Sequence, residues 1–185
     1  MLAMKRPIAR YMQQAIGMAV LVCALGCTPA LNWRQVTAGD AQVQLLLPCK
    51  PDQATRDVVL YAGGREVSTT LMLQGCDAGG LQFTFGQMSL PSGVTSIEAL
   101  AAWRLASLAP LKASPSEAFP EVWQFKGVNI VPQPVRTRVS TDAHQVQWVW
   151  FVHVDKIYQA AVYGKPKDKS LPEAAETYFS GIQLP

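Results

Sequence analysis

The sequence predicts an α+β fold: a curved antiparallel sheet packed with one longer central helix and a short C-terminal helix, after a cleaved signal segment. Three observations carry this. Several short runs alternate apolar and polar residues between glycine- and proline-bearing turns, the period of strands. Two stretches, starting near Thr95 and Ser170, change to helical spacing behind capping residues. The first 26 residues have the layout of an export signal.

That signal opens with Lys5, Arg6 and Arg10 and continues through the uncharged run "AIGMAVLVCALG", residues 15–26. The run is too short for a membrane span, which needs about 20 apolar residues. Removing its three cations from the 16 basic residues leaves a balance with the 13 acidic ones. The pI of about 8.7 is therefore largely a property of the signal. A neutral mature chain gives no electrostatic reason to expect a nucleic-acid partner. The expected organisation is a signal peptide at 1–26, a tether and entry segment at 27–40, and a single domain at 41–185.

The segment "ALGC" ending at Cys27 resembles a lipobox, the bacterial lipoprotein signal in which a cysteine is acylated and becomes the new N-terminus. Ordinary signal peptidase cleavage at Ala24-Leu25-Gly26 is the alternative, and leaves Cys27 without its acyl chain. Thr28 stands where the retention signal of enteric inner-membrane lipoproteins has aspartate. The resemblance thus implies an outer-membrane lipoprotein facing the periplasm, with a palmitate-type anchor.

Of the four cysteines, Cys23 lies inside the signal and Cys27 is the lipidation candidate. Cys49 in "LPCKP" and Cys76 in "QGCDAGG" remain, and an even remainder in an exported chain reads as a disulfide. Closing that loop would contribute about 3.5 kcal/mol in the chain-entropy account. The other readings of Cys49 are a zinc ligand or a reactive thiol. A structural zinc site wants about four closely spaced ligands, and the only histidines are the distant His144 and His153. A thiol nucleophile wants a histidine partner, and the adjacent Lys50 is no substitute.

In chain order, "LNWRQV" is an entry segment and "AQVQLLLP" a strand with Val43, Leu45 and Leu47 on one face, stopped by Pro48. The run "DVVLYAGGREVSTTLMLQGC" reads as a hairpin turning at Ala62-Gly63-Gly64-Arg65. Its second strand carries Val67, Thr69, Leu71 and Leu73 on one face, and "LQFTFGQM" follows with Leu81, Phe83 and Phe85 inward. The helix begins at a Thr95–Glu98 capping box, with Ile97, Leu100, Ala101, Leu105 and Leu108 as its apolar stripe and Arg104 near it.

Prolines 110, 115 and 120 mark a surface connection, and "EVWQFKGVNI" and "VRTRVST" are weaker strands. The strongest hairpin is "HQVQWVWFVHVDKIYQAAVYG". It has Val146, Trp148, Trp150 and Val152 on one face, Gln145, Gln147 and His153 on the other, and a turn around Val154-Asp155-Lys156. A second capping box, Ser170 with Glu173, opens a helix burying Ala175, Tyr178, Phe179 and Ile182 and ending at Gly181.

Leu47, Pro48, Lys50 and Pro51, with Tyr158, Tyr163 and Phe179 of the late strand and closing helix, form an outline spanning most of the mature chain. It resembles small exported bacterial proteins with a PsbP-like α/β sandwich domain, named for a photosystem II extrinsic protein. The resemblance implies a curved antiparallel sheet packed with helices. It supplies no active site to carry over, and fold alone does not select a function.

No nucleophile elbow, zinc-protease motif, phosphate loop or dinucleotide fingerprint occurs. His153 with Asp155 and His144 with Asp142 are the only base–carboxylate pairs, and both sit in turn-like sequence. The tryptophans Trp148 and Trp150 share a face with valines and read as core, leaving Trp33, Trp103 or Trp123 to line a groove between helix and sheet. No catalytic, metal or cofactor residue is assigned. The expectation is a non-enzymatic lipoprotein, tethered through Cys27 and acting as a binding or scaffolding module for an unidentified envelope protein. The alternatives are a carrier of a small hydrophobic ligand, or a hydrolase built on His144 or His153.

Overall fold

The computed structural model describes residues 30–39 and 43–185. The signal segment and Cys27 lie outside the described residues. Nine strands and two α-helices form an α+β fold in the unit Leu31–Pro185. The strands are β1 (Arg34–Ala38), β2 (Val43–Leu47), β3 (Asp52–Ala62), β4 (Arg65–Ala78), β5 (Leu81–Ser89), β6 (Phe119–Val122), β7 (Val135–Ser140), β8 (Gln145–His153) and β9 (Lys156–Gly164). The helices are α1 (Ser96–Leu108) and α2 (Leu171–Ser180).

Seven strands make one antiparallel sheet in the order β3-β4-β5-β9-β8-β7-β6, and β1 and β2 pair as a separate hairpin. Residues 34–38, an entry segment by sequence, are thus a strand aligned with β2, with Val36 opposite Leu45. Each face of the large sheet carries its own core. On one face, Phe83, Phe85, Val149, Phe151 and Tyr158 pack against the β1–β2 hairpin and α2. On the other, Met88, Trp148, Trp150, Ile157 and Ala161 pack beneath α1. Strand β8 is therefore covered on both sides, which explains why Gln147 is buried although it alternates with the tryptophans.

The predicted turn at Ala62–Arg65 joins β3 to β4, with Gly63 and Gly64 at φ 60° and 76°. The α1 capping box forms as expected: Thr95 N and Oγ1 donate to Glu98 Oε2 at 2.9 and 2.7 Å, and Glu98 N donates back to Thr95 Oγ1.

The α1 stripe differs from expectation in part: Leu108 is buried and Leu100 packs against the core as expected, but the rest of the buried face is different. Ala99, Ala102 and Trp103 face the sheet, while Ile97 and Leu105 are 65% and 57% exposed. The small Ala99 and Ala102 let the helix approach closely, and Trp103 fills the space beside them, so side-chain size outweighs the count of aliphatic residues. Gly86 on β5 completes the fit, since a Cβ there would lie 3.1 Å from Trp103 Cζ2.

The second capping box does not form. Ser170 donates from N and Oγ to Asp168 Oδ1 at 2.9 and 2.7 Å, and its own side chain caps nothing. Helix α2 ends at Gly181 as expected, but for lack of space rather than for a left-handed bend: φ is −82°, and a Cβ would collide with Leu46 Cβ.

Cys49, in the turn after β2, is bonded to Cys76 on β4 with Cα atoms 6.0 Å apart. The bridge pins the end of the covering hairpin to the sheet that it covers.

Candidate functional site

The candidate site is a groove between α1 and the outer strands of the sheet. Its floor begins with Thr137 on β7 and Trp148 on β8, cross-strand partners whose side chains share the α1 face. Trp150, two residues further along β8, continues the floor by the period of two. All three are nearly inaccessible to solvent: Thr137 at 3%, Trp148 at 1% and Trp150 at 2%.

One wall is the side of α1 carrying Ala101, Arg104, Leu105 and Leu108, residues three and four apart and hence stacked on one face. The facing wall is the proline-punctuated connection, with Pro115, Ala118 and Pro120. A capping box at Ser114 holds this wall, where Ser114 N and Oγ donate to Glu117 Oε2 at 2.7 and 2.9 Å. From the helix side, Gln159 Nε2 donates to Ser107 Oγ at 3.1 Å and fixes α1 over β9. The groove encloses about 300 Å³, at the small end of ligand-binding cavities.

Its polar groups are few and incompletely used. Trp148 Nε1 donates to Tyr163 Oη at 3.2 Å. Thr137 Oγ1 and Trp150 Nε1 are buried without a hydrogen-bond partner among the described residues, a condition that costs about 1–3 kcal/mol per group unless something completes it. Arg104 is half-buried and makes no ion pair among the described residues. Burial pushes its guanidinium below its usual pKa, the sign of a cation held against apolar surface.

A larger depression of about 520 Å³ surrounds the disulfide, but Lys50, Asp52 and Asp77 line it with mixed, solvent-facing charges. One buried acceptor there, Gln74 Oε1, lacks a partner among the described residues. The groove has the more selective chemistry: a dry aromatic floor with one cation at its wall.

The sequence candidates fall elsewhere. His144 closes the Thr141–His144 turn, its backbone N donating to Thr141 Oγ1 at 3.0 Å. His153 ends β8, so the strand's nine residues separate the two histidines' backbones by about 30 Å. Neither is paired with a carboxylate, and no cluster of three metal-ligating side chains occurs among the described residues. No described helix is long and apolar enough to cross a membrane.

Of the tryptophans read as groove candidates, Trp33 and Trp123 pack on the opposite face, against Phe83 and Phe179. Trp103 is on the sheet-facing side of α1 and does not line the groove, while the two tryptophans read as core form the floor. Sequence reasoning passed over Thr137, whose buried hydroxyl leaves no trace in a strand pattern where threonine is ordinary.

Arg136 was also missed. It is 8% exposed, donates to Glu176 Oε2 at 2.7 Å and from Nε to Gln147 Oε1 at 3.1 Å, and lies over the rings of Trp123 and Phe179 at 5.2 and 5.6 Å. With its partners supplied internally, it ties β7 to α2 and offers nothing to a ligand.

Comparison with protein-family models, curated proteins and solved structures finds no match to this chain.

Proposed function

We propose that this protein is a non-catalytic binding module, tethered to the cell envelope through Cys27, whose groove between α1 and β7–β8 takes a small apolar ligand. The observation that carries the reading is the combination of an open apolar groove with a buried floor whose Thr137 and Trp150 polar atoms are without partners among the described residues. A groove serving only as packing would be filled by its own side chains. Between a scaffold for another protein and a carrier of a small ligand, this favours the carrier. A lipid tether would confine the carrier to one membrane surface and raise its effective concentration there.

Native mass spectrometry of the full chain from its envelope fraction tests the ligand. A small molecule retained by wild type and lost on Leu105→Glu, an exposed position on the groove wall, is expected. A ligand-free protein that also fails to take up apolar probes would overturn the carrier. Intact mass of the same preparation tests the tether, through an acylated Cys27 at the N-terminus.

A further inference from the structure

The groove's single cation defines the class of ligand it would take. Three of its features are independent of one another. The floor is aromatic and dry, made by Trp148 and Trp150. The wall holds one guanidinium, Arg104, half-buried and unpaired by any described acid, and among the described residues no other charged side chain lines the groove. The buried Thr137 hydroxyl has a free hydrogen to donate.

An uncharged ligand would leave the guanidinium half-desolvated and unanswered. A dianionic phosphate would bring a charge for which the groove has no counterpart. A carboxylate matches the planar fork of arginine in shape and charge, and its second set of lone pairs can accept from a hydroxyl. The small volume limits the rest of the molecule to a short apolar body.

We infer that the groove selects a small monocarboxylate with an apolar body, its head held at Arg104 and Thr137 and its body laid against Trp148 and Trp150. This rests on the proposed groove function and adds the charge requirement to it.

The test is calorimetric titration of the full chain in lipid nanodiscs with octanoate, octanol and octylammonium, corrected against empty nanodiscs, for wild type, Arg104→Gln and Thr137→Val. The expected result is octanoate about tenfold tighter than octanol, the size of one charge-assisted hydrogen bond, with octylammonium weakest. In Arg104→Gln that preference should vanish, the ratio of octanoate to octanol affinity falling to about one. Thr137→Val, which keeps the side-chain shape, should weaken octanoate a few-fold more than it weakens octanol. Equal binding of octanoate and octanol by wild type, or a preference surviving Arg104→Gln, would overturn the carboxylate inference and leave the apolar groove standing. Binding of none of the three probes would overturn both.

Discussion

Trp103 of α1 stands edge-on to Trp150 of β8, with ring centroids 5.5 Å apart and planes at 79°. One ring anchors the helix and the other floors the groove, so this contact sets how α1 is positioned over the site. Gly86 admits Trp103 to that position: an added Cβ would lie 3.1 Å from its Cζ2 and 3.2 Å from Leu73 Cδ2. Gly86→Ala is therefore expected to destabilise the fold by about 1–3 kcal/mol and to shift Trp103. The double variant with Trp103→Phe should recover part of the loss, because the smaller ring leaves room. Urea denaturation of the four proteins of the cycle measures the coupling, and strict additivity would show that the Cβ does not act through Trp103.

Arg136 is a polar link between the sheet and α2 on the opposite face. Arg136→Met keeps the stem but strands Gln147 Oε1 in the interior and removes both ring contacts. The expected cost is about 2–4 kcal/mol, mostly the penalty of the orphaned acceptor. Glu176→Gln should cost under about 1 kcal/mol, since that carboxylate is half exposed and screened by water. Comparable losses from the two substitutions in denaturant titrations would contradict this division.

How legible these features were follows from which physical signal each one leaves in a sequence. The Ala62–Arg65 turn, the Phe83/Phe85 face and the Thr95–Glu98 cap are local, and the structure has all three. The disulfide was legible through counting: an even remainder of two cysteines outside the signal-like segment. The α1 stripe was legible only in part: Leu108 is core as expected, but Ile97 and Leu105 look like core until the approach distance is known, and close approach selects Ala99 and Ala102 instead. Trp148 and Trp150 were correctly placed on a buried face, yet their second role as a groove floor depends on what the connection at Pro115–Pro120 leaves uncovered. That is a property of two distant segments, and no window along the chain contains it. Arg136 was hidden for the same reason: its partners Gln147 and Glu176 are 11 and 40 residues away.

The Cys49–Cys76 bridge closes a loop of 27 residues and joins the covering β1–β2 hairpin to β4. Its loss, by reduction or by the double Cys→Ser variant, is expected to cost about 3.5 kcal/mol. The effect should be local before it is global. Hydrogen exchange should rise first in β1 and β2, where Trp33 packs edge-on to Phe83 at 5.7 Å. Uniform acceleration over both faces of the sheet would show that the bridge acts only on the unfolded chain.

Tyr178 links the second helix to alkaline stability. Its hydroxyl donates to Thr84 O at 3.0 Å, and complete burial raises its pKa well above that of a free phenol. Folding therefore holds the proton on Tyr178 under conditions where the unfolded chain has lost it. Stability from this linkage is fully present below about pH 10, the unfolded value. It falls as pH rises above that value, by about 1.4 kcal/mol per pH unit for this one group. Burial also raises Tyr163, but that ring is partly exposed and its share is smaller. Tyr178→Phe should lose about 1 kcal/mol at neutral pH with the hydrogen bond, yet show a shallower decline between about pH 10 and 12. Urea midpoints from pH 7 to 12 check the sign: parallel alkaline limbs in wild type and variant would mean that Tyr178 is not the group whose proton the fold retains.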